Sequence, residues 1–263
     1  MMAVSSFVVG FSVMKLALLS DIHSNLHALQ ACLAHARAQG AQQFAFLGDL
    51  VGYGAQPAEV LDCIKALQAQ GAPVLRGNHE QVTLAPPGVV QHMGDIGAQW
   101  THSQLKSHQR DWLAQLPLTH DLGAVLLVHA SVNEPERWRY VDSPLAATAS
   151  LDAARAWPQV RYVFGGHVHA QTLYYRGSEG KLMPFQPQAG VAIPVPRHRH
   201  WLATVGSVGQ PRDGNPQAMY ALFDQSAALL TFHRVHYDHA AAADAIRRAG
   251  LPEFFATRLE TGR

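Results

Sequence analysis

Five short stretches of this chain bring together residue types that hold metal ions and move protons. They are Asp21-Ile22-His23, Gly48-Asp49, Gly77-Asn78-His79-Glu80, His129, and Gly165-Gly166-His167-Val168-His169. Their candidate ligands are Asp21, His23, Asp49, Asn78, His129, His167 and His169. Any one of these alone is more often a helix cap or a satisfied polar group. Taken together, the set is too large for one tetrahedral zinc but suits two divalent ions that share a carboxylate. With Asp49 as the bridge, each ion receives four protein ligands and space remains for water. Two carboxylates against two dications leave a surplus of positive charge, so such a centre wants an anion. Ions about 3.5–4 Å apart suit in-line displacement at phosphorus. A mixed nitrogen and oxygen donor set without sulfur points to Mn, Fe, Zn, Co or Ni rather than Ca.

Each stretch follows an apolar run that reads as a buried strand. Leu16 to Leu19 ends at Ser20-Asp21, Phe44 to Leu47 at Gly48-Asp49, and Pro73 to Leu75 at Arg76-Gly77. Val125 to Val128 runs into His129, and Tyr162 to Phe164 into Gly165-Gly166. Ligands of open α/β sheets collect at the carboxyl ends of strands, so side chains distant in sequence converge there. The i, i+2 spacing of Asp21/His23 and of His167/His169 turns both members of each pair the same way in extended chain. Helices are predicted from a cap at Ser24 or Asn25 to Gly40, from Pro57 to about Gly71, from Asp95 to Leu116, and over Leu145 to Ala156. After His169 the pattern becomes strands alone, at Leu173–Tyr175, Trp201–Val205, Met219–Phe223 and Leu229–Val235, which predicts a sheet of their own. The expected architecture is α/β: two mixed sheets packed face to face, helices outside, one domain over 14–263. Gln186 to His200 reads as the long ordered loop.

Composition narrows the function classes. The 263 residues carry 20 basic and 19 acidic side chains, a net charge of +1, which argues against nucleic acid or an anionic membrane surface as the main partner. With 48% hydrophobic and 15% charged residues, a large core is available. Cys32 and Cys63 lack zinc-ribbon spacing and read as reduced residues on apolar helix faces, consistent with a reducing, cytoplasmic setting. Residues 1–13 are apolar but lack the basic start of a secretory signal and the length of a bilayer span. They read as an extension ahead of Met14.

At its five blocks the sequence resembles the calcineurin-like metallophosphoesterase superfamily, whose signature runs D-x-H, G-D, G-N-H-D/E, H and G-H-x-H in that order. The later run Gly206-Ser207-Val208-Gly209-Gln210-Pro211-Arg212-Asp213-Gly214 resembles the small bacterial phosphodiesterases related to diadenosine-tetraphosphate hydrolases. The resemblance implies an α-β-β-α metallophosphoesterase sandwich. It implies one ion on Asp21, His23, Asp49 and His169, and a second on Asp49, Asn78, His129 and His167. His79 takes the place of the family's non-ligand histidine, which bonds the phosphate and protonates the leaving oxygen. The implied nucleophile is a metal-bridging hydroxide, so no Ser or Cys nucleophile is required. The substrate implied is a phosphodiester or phosphoanhydride of a small nucleotide.

The chain departs from the serine/threonine protein phosphatases, whose second block reads G-D-x-V-D-R-G. Here Gly52 and Tyr53 stand where those enzymes place an orienting Asp and a phosphate-holding Arg. Phosphate contacts are therefore expected from Asn25, from Ser207 and Gly209 through backbone N–H groups, and from Arg212. Arg197-His198-Arg199-His200 offers charge that steers an anion, or a merely solvated edge. Trp138 and Tyr140 are placed to stack a base at the rim, or to pack in the core. The alternatives to a phosphodiesterase are a non-catalytic metal-binding scaffold, a phosphomonoesterase and a nuclease. The last is disfavoured by the neutral charge.

Overall fold

The computed structural model describes residues 15–177 and 181–263; the reading of residues 1–13 lies outside these. From the first described residue, β1 (Lys15–Leu19), α1 (Leu26–Ala38), β2 (Gln43–Phe46) and α2 (Pro57–Gln68) alternate. Asn25 caps α1 by accepting the N–H of Ala28 at 3.0 Å, and the helix turns Leu29, Cys32, Leu33 and Ala36 inward. Pro57 opens α2, where its missing N–H costs nothing. Three helices follow: α3 (Asn78–Leu84), α4 (Met93–Gln104) and α5 (Ser107–Ala114). The single helix expected over Asp95–Leu116 is thus broken. Leu105 turns extended and buries its side chain, and the Gln109 side chain accepts the Lys106 N–H to start a new helix.

The remaining elements are β3 (Thr119–Asp121), β4 (Val125–Val128), α6 (Pro144–Ala153), β5 (Tyr162–Gly165), β6 (Gln171–Arg176), β7 (Leu182–Phe185), β8 (Ala192–Pro194), β9 (Trp201–Val205), β10 (Ala218–Asp224), β11 (Leu229–Val235), α7 (His239–Arg248) and α8 (Glu253–Thr261). They complete two mixed sheets. One has the order β2-β1-β10-β11-β8, the other β3-β4-β5-β9-β6-β7. The late strands do not form a sheet of their own. β9 pairs parallel with β5 while β10 pairs antiparallel with β1, so each late strand completes an early half-sheet. The segment expected as strand at Pro73–Leu75 shrinks to one parallel bridge, Phe46 to Val74. Part of the expected 186–200 loop is β8, on the edge beside β11.

Period-two alternation explains why these strands are apolar throughout. In β1, Leu16 and Leu18 join Phe164, Phe223 and Trp201 between the sheets, while Ala17 and Leu19 face the cluster under α1 and α2. In β5, Tyr162 and Phe164 face between the sheets and Val163 faces α6. A separate cluster of Ile246, Phe255 and Leu259 docks α7 and α8 beside Tyr53. Among the described residues no helix is long and apolar enough to cross a membrane. Cys32 is buried and Cys63 half-buried, both as free thiols.

Candidate metal centre

The loops leaving β1, β2, β4, β5 and β9 meet at one point. Asp21 donates its backbone N–H to Gly48 at 3.1 Å, His23 to Asp49 at 3.0 Å, and Gly166 to His129 at 2.8 Å. The first two bonds join loops of one sheet and the third joins loops of the other; the His167 backbone N–H on Asp21 Oδ2 at 2.9 Å then ties the two sheets together at their carboxyl ends. The approach is close: a Cβ on Gly166 would stand 1.9 Å from Ser20 Oγ, so no side chain fits there. Asp21, His23, Asp49, His167 and His169 all adopt left-handed backbone, with φ of 54°, 48°, 51°, 67° and 55°. Each such non-glycine residue costs of order 1–3 kcal/mol and persists only where its surroundings hold it.

The structure brings all seven predicted ligands together. Asp21, His23 and His169 form one group, Asp49, His129 and His167 another, and His23 and Asp49 also group with His79. The Nε2 atoms of His23 and His169 face each other at 3.1 Å. His169 Nε2 lies 3.3 Å from Asp21 Oδ1, and His129 Nε2 lies 3.2 Å from Asn78 Oδ1. Asp49 Oδ2 stands between the groups, 3.8 Å from His23 Nε2 and 3.4 Å from His129 Nε2.

Backbone carbonyls set the ring orientation. The Nδ1 atoms of His23, His129 and His169 lie 3.2, 2.8 and 2.6 Å from the carbonyl oxygens of Val51, Leu47 and Gln210. With Nδ1–H donated there, Nε2 presents a lone pair, as metal ligation requires. Among the described residues Asp21 Oδ1 and His167 Nε2 are buried without a hydrogen-bond partner. Orphaned buried donors and acceptors are costly, and converging imidazole lone pairs more so. The donor set therefore fits a pair of divalent ions.

Electrostatics follows from the crowding. Burial disfavours charge on Asp21 and Asp49, yet His169 beside the first and His129 beside the second outweigh it and hold both carboxyls below their usual range. Burial pulls the His129 pKa down, but Asp49, Asp21 and Glu80 together raise it to about 9. Burial and then His129 carry His167 down to about 4.

His79 stands at the rim, partly exposed. Its backbone N–H is fixed on Asp49 Oδ1 at 2.8 Å, and its ring centroid lies 4.8 Å from that of His23 and 4.4 Å from that of Tyr53. A Cβ on Gly52 would lie 2.4 Å from His79 Nδ1, so position 52 leaves no room for the orienting carboxylate of the protein phosphatases.

Three expected substrate contacts serve the scaffold instead. The Asn25 amide accepts from Ala28 and donates to Gly209 O at 2.9 Å and Tyr237 Oη at 3.3 Å. Ser207 is fully buried; its hydroxyl donates to Asp21 O at 2.8 Å and accepts from Gln210 N at 2.8 Å. The Gly209 N–H is spent on Asp21 O at 2.9 Å. The Asn25 amide, the Ser207 hydroxyl and the Gly209 N–H are thus spent within the scaffold around the Asp21 loop. Arg212 remains at the site, its Cζ 5.8 Å from the centroid of Tyr53. Arg197–His200 precedes β9 and lies at the amino end of that strand, opposite the metal ligands. Tyr140 lies against His167, ring centroids 4.1 Å apart and nearly parallel, and Trp138 flanks His129 at 5.9 Å.

Residues that the sequence did not single out complete the site. Glu80 accepts four backbone N–H groups: Gly77 at 2.6 Å and Asp49 at 2.9 Å on Oε2, Leu50 at 2.7 Å and Val51 at 3.1 Å on Oε1. Burial and Asp49 raise it to about 7, whereas the four donors favour the charged form and leave no lone pair for a proton. A Glu at the third position of a helix, after Gly77-Asn78-His79, was the available signal. Gln210, through its carbonyl on His169, and Arg258 of α8 had none.

Comparison with known proteins follows the same outline. The calcineurin-like phosphoesterase superfamily domain matches residues 14–228. An uncharacterised protein of Methanocaldococcus jannaschii is 32% identical over 254 residues, 94% of this chain and 98% of its own length. A metallophosphoesterase from Sphaerobacter thermophilus is 33% identical with a TM-score of 0.84, covering 96% of this chain and all of that one. A hypothetical protein from Pyrococcus horikoshii, at 21% identity, shares the fold with a TM-score of 0.73 over 95% of this chain and 99% of its own.

Proposed function

Because this chain belongs to the calcineurin-like phosphoesterase superfamily, we propose that its buried His–Asp cluster is a two-metal centre that hydrolyses a phosphodiester or phosphoanhydride of a small nucleotide. The observation that carries the reading is Asp49 Oδ2, set between His23 on one side and His129 on the other. Asp21, His23 and His169 would hold one divalent transition-metal ion, Asn78, His129 and His167 the other, and Asp49 would serve both. When bound, such ions supply Lewis acidity and a water made nucleophilic near neutral pH.

The chain's own groups do the rest. Three backbone carbonyls keep the ligand imidazoles in one orientation, and Glu80 keeps the Asp49 loop against the start of α3. His79, outside the ligand set and at the rim, is placed to give a proton to the leaving oxygen. Tyr53 offers no guanidinium fork, which favours a diester or internal anhydride over a dianionic monoester. Tyr140, half-exposed on His167, supports a base-stacking rim. The free thiols support a reducing, cytoplasmic setting.

The test is hydrolysis of bis-p-nitrophenyl phosphate and mono-p-nitrophenyl phosphate with Mn²⁺ added, then a panel of cyclic nucleotides and dinucleoside polyphosphates. Higher kcat/KM on the diester than on the monoester is expected. No turnover of any phosphate ester by metal-replete protein would turn the reading toward a binding scaffold.

A further inference from the structure

Two arginines from distant parts of the chain converge on one neutral oxygen. Arg212 donates from Nη2 to Gln210 Oε1 at 2.9 Å and from Nε at 3.3 Å. Arg258, on α8, donates from Nη1 to the same oxygen at 3.2 Å. Among the described residues neither forms an ion pair, and Arg258 Nε is buried with no hydrogen-bond partner. Other arginines of the region are neutralised: Arg234 by Asp213, and Arg247 by Glu253 and Glu260 at 2.7 Å. Two half-buried guanidinium groups sharing one acceptor repel each other; aromatic faces lie beside them, Phe254 4.4 Å from Arg258 Cζ and Tyr53 5.8 Å from Arg212 Cζ, but among the described residues no carboxylate pairs with either.

The pair is also built into the metal centre. Gln210 is buried, and its carbonyl oxygen is the one that takes His169 Nδ1 at 2.6 Å. One residue therefore orients a predicted metal ligand with its backbone and both arginines with its side chain. Arg212 lies over Tyr53, whose ring touches both His79 and His23. Arg258 reaches the same place because Phe255, one turn earlier on α8, packs edge-on against Tyr53 at 5.1 Å. Electrostatic coupling agrees with the geometry: burial and then Arg212 lower the pKa of Arg258. α8 lies beyond residue 228, where the match to the family domain ends.

We infer that Arg212 and Arg258, aligned by Gln210, form an anion subsite beside the metal centre that receives a second phosphate group of the substrate. This deepens the proposed function and rests on it. The reacting phosphorus sits at the metals, and the neighbouring phosphate sits in the guanidinium pair. The substrate class selected is a nucleoside or dinucleoside polyphosphate, with its adjacent charged groups, over a cyclic nucleotide or a lone diester. A guanidinium fork matches phosphate oxygens bidentately, and one charge-assisted contact corresponds to roughly a ten- to hundredfold change in affinity.

The full-length chain with Mn²⁺, its Arg258→Gln, Arg258→Lys and Arg212→Gln variants, and two substrates decide it. The substrates are diadenosine tetraphosphate and thymidine 5′-(p-nitrophenyl phosphate), which carries a single phosphate. ADP and AMP binding to each protein is measured in parallel by calorimetry. Arg258→Gln should lower kcat/KM on the tetraphosphate roughly ten- to hundredfold more than on the simple diester, mainly through KM. It should weaken ADP by a similar factor and AMP far less, with Arg258→Lys between. Equal losses on both substrates and both nucleotides would mean that Arg258 only docks α8, and would overturn the inference. So would wild-type protein that binds ADP no tighter than AMP. If the wild type hydrolyses neither substrate, the proposed function fails, and the ADP/AMP comparison still judges the subsite. Should Arg258→Gln unfold, Arg258→Lys and Arg212→Gln carry the same comparison.

Discussion

Replacing Glu80 by Gln exchanges one carboxylate oxygen for an amide nitrogen that can only donate. In the native chain each oxygen accepts two backbone N–H groups, Gly77 and Asp49 on one, Leu50 and Val51 on the other. Whichever way the amide turns, two N–H donors then face an NH₂ group in a fully buried site. Hydrogen bonds to a charged acceptor contribute about 1.5–3 kcal/mol each, so losing two costs about 3–6 kcal/mol. That is a large part of the 5–15 kcal/mol by which typical domains are stable. Because Asp49 and Val51 belong to the displaced loop, the carboxylate between the two ligand groups and the carbonyl behind His23 move with it. Urea unfolding of chelator-treated Glu80→Gln should therefore show a lower midpoint at unchanged m-value, and elemental analysis of the reloaded protein should show both ions depleted. A loss under about 1 kcal/mol with both ions retained would refute the reasoning, since the loop would then not depend on the carboxylate.

Other perturbations separate the parts of the centre. Asp49→Asn should lower occupancy of both metals in elemental analysis, while His23→Ala should chiefly affect one; two tightly held ions in the Asp49 variant would remove it as the bridge. His79→Asn should keep both ions and lose about 10²–10⁴-fold in turnover, least on a nitrophenyl ester whose leaving group needs little protonation; unchanged turnover on a natural nucleotide would take His79 out of the chemistry. Away from the centre, burial first and then His35 lower His233 to about 4, and its Nε2 has no partner. The unfolded chain takes up a proton near pH 6.5 that the folded chain refuses, so stability is full above that pH and falls between 6.5 and 4, by roughly 3 kcal/mol. Urea unfolding at pH 7, 5.5 and 4.5 should show a smaller decline in His233→Phe than in the wild type, both chelator-treated; equal declines would exclude His233 as a source.

Local chemistry made most of the centre legible. Asp21, His23, Asp49, Asn78, His129, His167 and His169 follow apolar strand runs directly, and a strand end aims its next residues in only a few ways. The helices α1 and α2 were equally plain, from Pro57 and from apolar spacing. What failed was long-range. The partners of β9 and β10 are chosen by sheet completion, which period-two patterning does not encode. Asn25 and Gly209 were given to the substrate because polar groups near a site invite that reading; only the fold shows that Asp21 and the α1 amino terminus claim the Gly209 N–H and the Asn25 amide first. Arg258 carries no local mark whatever, since its role depends on where α8 docks.

Five of the centre's ligands adopt backbone angles that glycine reaches freely and histidine and aspartate do not. In the folding of the empty chain these residues oppose the native state, each by of order 1 kcal/mol or more. Stability and ligation are therefore set against each other at the same five positions. A library selected only for heat resistance should drift toward Gly or Asn at Asp21, His23, Asp49, His167 and His169, discarding the centre while improving the fold. The same opposition makes the ions a structural component. Binding to the folded form alone draws the chain toward the very conformation its backbone resists, so the loaded protein should be the better-folded one.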